Sequence, residues 1–569
     1  MKSRRYVKRR EKMLFSQNFN RIVLIVICFF LGILAALADM LRVQGHFTIT
    51  GEYCFQALFY ACFAFVLFSL GDFLLNKKVY KKQNRNNSWF FSKNLKSFLL
   101  VSLIILLCWS PYLILLYPGV MWYDTSNQLL QWNGLPNLFT SGSITDHHPV
   151  FDTTVFGLFV DLGNMFGSGD LGIYLFCWVQ SIITTCTLSY SLQYLQDMGA
   201  SSRMCKIILL MYCFFPLFPL YASCMVKDAV FLPIIMLFSI ACHRIVVTRG
   251  QCLISNRWMC LFILCSVLMA LTKKTGLYTV VPVCILLMLA VVVKARIRLL
   301  LCVAVVCGLM IGIFPSVVFP AFNIQEGGKQ ELLAIPFQQS ARVLRDHKNE
   351  VDPSYREVIE KILGDDVSER YNPYVADPVK GYVWDTAKDK YLDEYITHWI
   401  SGFWQFPVTY IEAFLSVEFG WLALPTADEC VDERLMPVYA QGTNHAFFEG
   451  HDEIGLMSSD SNNGQKIEKF INWIEHTPVG MVLFSKALWT TWMAVFVLYE
   501  SFRRKINIRN VLAFSPYIIT YCLLWVSPVS IGVEAMRYVV PQVFMLPFVV
   551  GTMVLFLRNQ EDVNDVSYR

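Results

Sequence analysis

Stretches of about 20 apolar residues, bounded by charges or turn residues, recur along the whole chain, and a helix of about that length spans the hydrocarbon core of a bilayer. Twelve such runs fall near 21–41, 53–75, 97–117, 172–195, 205–222, 228–247, 258–272, 276–293, 299–320, 479–500, 510–527 and 537–557, with a weaker candidate at 150–166. Composition agrees, because 55% hydrophobic against 16% charged residues exceeds what a water-soluble core of this size absorbs. A cleaved leader would show one short apolar stretch, so the first of many reads as an anchor.

Basic residues orient the spans. Lys2 through Lys12 precede the first, Lys77 through Lys96 follow the second, and Arg203, Arg244, Arg249, Arg257, Lys294, Arg298, Arg503 and Arg504 mark later loops. All face the cytoplasm, with both termini, only if 150–166 does not cross. That segment carries Thr153, Gly157, Asp161 and Asn164 at helical spacing, a narrow polar stripe that reads as a helix lying on the outer membrane face. A thirteenth span is the competing reading.

The expected fold class is thus an all-α polytopic membrane protein of about 12 helices. It divides into a basic cytoplasmic tail (1–20), a membrane bundle (21–320), an extracytoplasmic, mainly helical domain (321–478), C-terminal membrane helices (479–557) and a cytoplasmic tail (558–569). The bundle includes a first outer loop (117–149) and the interfacial helix (150–166). In the outer domain, Asp352 before Pro353 and Gly364 after SYREVIEKIL punctuate a helix. Its one cysteine is Cys430, so no internal disulfide framework is available. The net charge of +5 resides in loops facing anionic lipid and is no argument for nucleic acid.

Two clusters carry potential chemistry. The 117–149 loop contains no Lys or Arg, yet Asp124 follows a span directly and Asp146, His147 and His148 precede the interfacial helix. These acids either cap helices or hold a reacting group. Conversely, Lys227 (in VKDAVF), Lys273 and Lys274 (in KKTGLY) and Arg537 (in RYVVP) sit at outer span ends against the orientation bias. An anion at the membrane surface, such as a lipid phosphate, would account for them. Snorkelling among headgroups is the alternative.

YPGVMWYDTSNQ, DHHPV, VKDAVF, KKTGLY and RYVVP, spread over 117–541, resemble an uncharacterised family of Gram-positive bacterial membrane proteins assigned to the GT-C class of glycosyltransferases. The plan also resembles protein O-mannosyltransferases and aminoarabinose transferases: an acid early in the first outer loop, then a His-Pro element entering a juxtamembrane helix. Val150 stands where those enzymes carry a second Pro. The resemblance implies a plasma-membrane enzyme that moves a sugar from a polyprenyl-phosphate donor to a glycan, lipid or protein acceptor. Asp124 would be the base, Asp146, His147 and His148 would orient it or the sugar, and Lys227, Lys273, Lys274 and Arg537 would hold the phosphate. No cofactor is required on this reading, although Asp146, His147 and His148 together with Asp124 would suit a divalent metal. A lipid-linked glycan flippase and a non-catalytic envelope scaffold are the competing functions.

Overall fold

The structure, a computed structural model, describes residues 2–76, 89–424, 450, 452–456 and 462–566. Cys430 and the basic residues Lys77 through Arg85 lie outside the described residues. Nearly every described element is helical, and seven helices are long and apolar enough to cross a membrane. The chain is an all-α membrane protein.

The remaining apolar runs form shorter pieces for local reasons. The 205–222 run divides into Ser202–Phe214 and Leu217–Ala222, since Pro216 drives Phe215 into an extended conformation and ends the first piece. Asn256–Thr272 and Lys274–Leu287 are joined by the single extended residue Lys273. At 17 and 14 residues they reach only about 26 and 21 Å, against a hydrocarbon core of about 30 Å. Gly276 permits the tight reversal, because a Cβ there would lie 1.8 Å from the Met269 carbonyl oxygen.

We label the elements that build the site α1 (Lys2–Gln44), α2 (Gly51–Asn76), α3 (Leu95–Leu115), β1 (Val120–Met121), α4 (Tyr123–Trp132), α5 (Val150–Met165), α6 (Gly169–Asp197), β2 (Cys224–Met225), α7 (Lys227–Val247), α8 (Asn256–Thr272), α9 (Lys274–Leu287) and α10 (Gly532–Val566). One end of the bundle carries the domain that follows Ala321. This domain has its own core of Phe337, Ala341, Leu344, Tyr355, Ile359 and neighbours. It is anchored by the Tyr374 hydroxyl donating to the Arg42 carbonyl (2.6 Å), the Ala376 amide to Pro528 (3.0 Å) and the Phe47 amide to Glu412 (2.6 Å), whose carboxylate is held within the domain by Arg342 (2.7 Å). Asp352 caps Pro353–Leu363 by accepting from the Ser354 amide, and Gly364 ends it at φ +93°. The opposite end is closed by Arg503 and Arg504 against Asp72 and Glu500.

The α5 helix stays at the domain end. The residues before it bond Gln325, through the Asp146 amide (2.8 Å), and in its last turn Asn164 donates to Ile454 (3.0 Å). The Thr153–Gly157 half of its polar stripe is a buried protein contact face, while Asp161 and Asn164 are hydrogen-bonded but exposed. Thr153 accepts from Gln128 of α4 (2.9 Å), Asp161 from the Trp132 indole (2.9 Å), and a Cβ at Gly157 would strike the Trp132 ring at 2.2 Å. Small and hydrogen-bonding residues repeat on α5 because an aromatic helix end packs there.

Candidate functional site

The site begins with a parallel two-residue pairing, Val120 with Cys224 and Met121 with Met225. Gln180 of α6 fixes the second strand by donating to the carbonyls of Tyr221, Ala222 and Cys224 (3.1–3.2 Å). Both strands lead directly into helices, so the first turn of α4 and the first turn of α7 emerge side by side. The Thr125 hydroxyl ties them by donating to the Met225 carbonyl (2.5 Å). Asp124 and Lys227, 103 residues apart in sequence, consequently meet at 2.7 Å.

A second cation arrives from the start of α10. Arg537 Nη1 donates to the same Asp124 oxygen (2.5 Å), Nη2 donates to the Tyr538 hydroxyl (3.2 Å), and the guanidinium lies over the rings of Trp122 and Tyr538. A third arrives from the α8–α9 vertex, where Lys273 pairs with Asp228, the fully buried neighbour of Lys227. Lys273 also stands 5.3 Å from the Tyr538 ring centroid, beside the Arg537 cluster. Burial pushes the Asp124 carboxyl up, but Arg537 and Lys227 outweigh it and hold the group well below the usual carboxylate range.

His148 completes the shell. Its Nδ1 lies 3.0 Å from the Lys227 ammonium and its Nε2 3.9 Å from Asp124. An ammonium has only donors, so Nδ1 must accept, and in the neutral ring the proton sits on Nε2. Burial and the Lys227 charge keep the ring neutral, well below the ordinary histidine value. Among the described residues neither His148 Nε2 nor Arg537 Nε has a hydrogen-bond partner, although both are buried. Two donors therefore remain unused beside a carboxylate that is itself 16% exposed.

The other expected residues occupy a second, more open layer. Lys274 pairs with Asp146 at 3.3 Å, with side chains 49% and 30% exposed; burial raises the Asp146 carboxyl and Lys274 offsets part of that rise. His147 stacks on Phe139 (centroids 4.1 Å) and is pushed down to about 3 by burial and Lys227. Asp124, His148, Lys227, Lys273 and Arg537 thus form one cluster, with Lys227 in direct contact with Asp124, while Lys274 and Asp146 face each other. Glu412 is taken up by Arg342, Trp384 donates to Asp389 and Trp399 to Gln339. Among the described residues no group of three or more His, Cys, Asp or Glu is arranged to hold a metal.

Asp152 has no counterpart in the sequence reading. It lies in the first turn of α5, fully buried, with neither carboxyl oxygen hydrogen-bonded among the described residues. Burial raises it well above the ordinary carboxyl value, only partly offset by Lys227, so it is a neutral acid. An Asp two residues after DHHPV is the one signal that could have drawn attention to it.

A family model described as a family of unknown function matches residues 5–567. No curated protein and no solved structure matches.

Proposed function

The chain belongs to that family of unknown function, DUF6020, and we propose from the geometry of the site that it is a glycosyltransferase of the membrane. The observation that carries the reading is the charge of the cluster. Three cationic side chains, Lys227, Lys273 and Arg537, face two carboxylates, Asp124 and Asp228, which leaves one positive charge where membrane-helix ends meet. One phosphodiester anion cancels it, and a sugar on a polyprenyl phosphate carries one such anion. The unused donors on Arg537 Nε and His148 Nε2 suit its oxygens.

On this reading the acceptor hydroxyl attacks the anomeric carbon, its proton passes to Asp124, and the bond to the phosphate breaks with its electrons leaving on the phosphate oxygen. Negative charge grows on the phosphate in the transition state, and preorganised cations stabilise it there more than in the ground state. Asp124 held by two cations is a weak base at rest. A phosphate that engages Lys227 and Arg537 draws them from the carboxylate and raises its basicity, so donor binding prepares the proton acceptor. Tyr382 and Phe139, with ring centroids 6.3 Å apart, place the extra domain beside the His147 layer, where an acceptor would approach.

The twelve-crossing arrangement with both termini cytoplasmic belongs to the same proposal, and puts this cluster at the outer face of the plasma membrane. Native mass spectrometry of the protein extracted from its own membrane tests the donor. Wild type carries a polyprenyl-phosphate lipid, with or without its sugar, and Lys227→Ala/Arg537→Ala loses it; absence of any phosphate lipid from folded wild type would remove the proposal's support.

A further inference from the structure

The extra domain carries a surface that its own architecture does not explain. No Asp, Glu, Lys or Arg occurs between Glu394 and Glu412, and this stretch forms most of two helices, Leu392–Gln405 and the start of Pro407–Glu418. Pro407 separates them into a hairpin. Its inner side is fully engaged: the Tyr410 hydroxyl donates to the Trp399 carbonyl (2.8 Å) and meets Tyr355 Oη at 2.9 Å, and Gly402 is required because a Cβ there would lie 2.5 Å from Tyr410 Oη. The outer side presents Ile400, Trp404, Val408 and Ile411, exposed by 51, 77, 57 and 43%. A helix facing water places charges outward; between Glu394 and Glu412 this hairpin places apolar residues outward instead, and Glu412 itself turns inward on Arg342.

We propose that this hairpin is a monotopic membrane element whose Ile400–Trp404–Val408–Ile411 face lies in the interfacial layer of the bilayer. What selects lipid as the occupant is where the hairpin sits. Glu412 accepts from the Phe47 amide (2.6 Å), which fixes the second helix over the α1–α2 turn. The α2 helix that leaves this turn is a candidate membrane span with Phe55, Leu58 and Phe59 exposed on it, so the hairpin sits at the end of a surface suited to acyl chains. Farther along the same helix Phe414 stacks on Trp525 (6.0 Å), at the end of another apolar run. An apolar helix face bearing Trp at the level of span ends matches residues that partition into the headgroup boundary. The hairpin would pin the domain to the bilayer and keep it over the Asp124 cluster, whatever reaction that cluster performs.

The test places a photoreactive benzophenone amino acid at position 404, at position 408, or at position 357 on the well-exposed Glu357 of another helix, in the full-length protein. Each is reconstituted in phosphatidylglycerol nanodiscs, irradiated, and digested for mass spectrometry. Lipid adducts at 404 and 408 should exceed those at 357 by about an order of magnitude. Adducts no more frequent than at 357 would overturn the assignment, and so would cross-links between two copies of the chain at 404 in place of lipid adducts. Both test positions are solvent-exposed in the fold, and a matching size-exclusion profile for all three variants certifies that folding is equal.

Discussion

Replacing Asp124 with Asn keeps the side-chain size and removes the charge that two cations share. Lys227 at 2.7 Å and Arg537 at 2.5 Å both lose their anion, and the cluster passes from three cations against two carboxylates to three against one. Removing one member of a buried pair costs about 3–5 kcal/mol, and the 16% exposure of this carboxylate argues for the lower end, about 3 kcal/mol. A ligand that binds only the folded state restores about 2.7 kcal/mol at a hundredfold excess over its Kd. A long-chain alkyl phosphate added to the purified variant should therefore return much of the lost stability. It should raise the wild-type melting temperature less, because Asp124 competes there for the same cations. Differential scanning fluorimetry in detergent reads both effects. A melting temperature equal to wild type, with an equal response to the phosphate, would refute the claim that Asp124 and an anion share these cations.

Adjacent lysines should behave differently. Lys273→Ala leaves the fully buried Asp228 uncompensated and should cost about 3–5 kcal/mol, whereas Lys274→Ala breaks a half-exposed contact worth about 0–1 kcal/mol; thermal unfolding of the two variants makes the comparison. Asp152→Asn should stabilise the protein at neutral pH. The folded Asp152 retains a proton that the unfolded chain releases above 3.8, so stability falls as pH rises from that value toward the raised folded one. The melting temperature of Asp152→Asn should accordingly exceed wild type at neutral pH and converge with it near about pH 4; parallel curves would refute the neutral-acid assignment. Gly276→Ala should prevent the α8–α9 reversal, since no relaxation of a side chain removes a 1.8 Å contact with the Met269 carbonyl, and loss of folded protein on size-exclusion chromatography is the expected result.

Much of this was legible in the chain because bilayer thickness imposes a length and an apolarity that no local preference hides. The helices α1, α2, α3, α6, α7 and α10 follow their apolar runs closely. The Asp352 cap and the Gly364 stop depend on three or four neighbouring residues and were equally readable. What the chain does not reveal is which charge meets which. Lys227 reaches Asp124 because Val120 pairs with Cys224, a contact between two-residue strands too short to carry an alternation pattern. Lys273 and Lys274 look equivalent in KKTGLY, but one extended residue between helices sends Lys273 to Asp228 and Lys274 to Asp146. The α5 stripe shows the limit of periodicity: spacing identifies a polar face, and only packing shows that Trp132 and Gln128 cover it. Asp152 was invisible because nothing local distinguishes an acid in a helix's first turn that caps from one that is buried without a partner.

Turnover tests the central claim most directly. Purified protein in nanodiscs is mixed with polyprenyl-phosphate-linked sugars and an extract of envelope acceptors, and release of free polyprenyl phosphate is followed by mass spectrometry. Wild type should release it in multiple turnovers. Asp124→Asn, folded and still able to bind the phosphate lipid, should fall by orders of magnitude. Equal release by wild type and folded Asp124→Asn, or none by wild type that demonstrably binds the donor, would contradict the account.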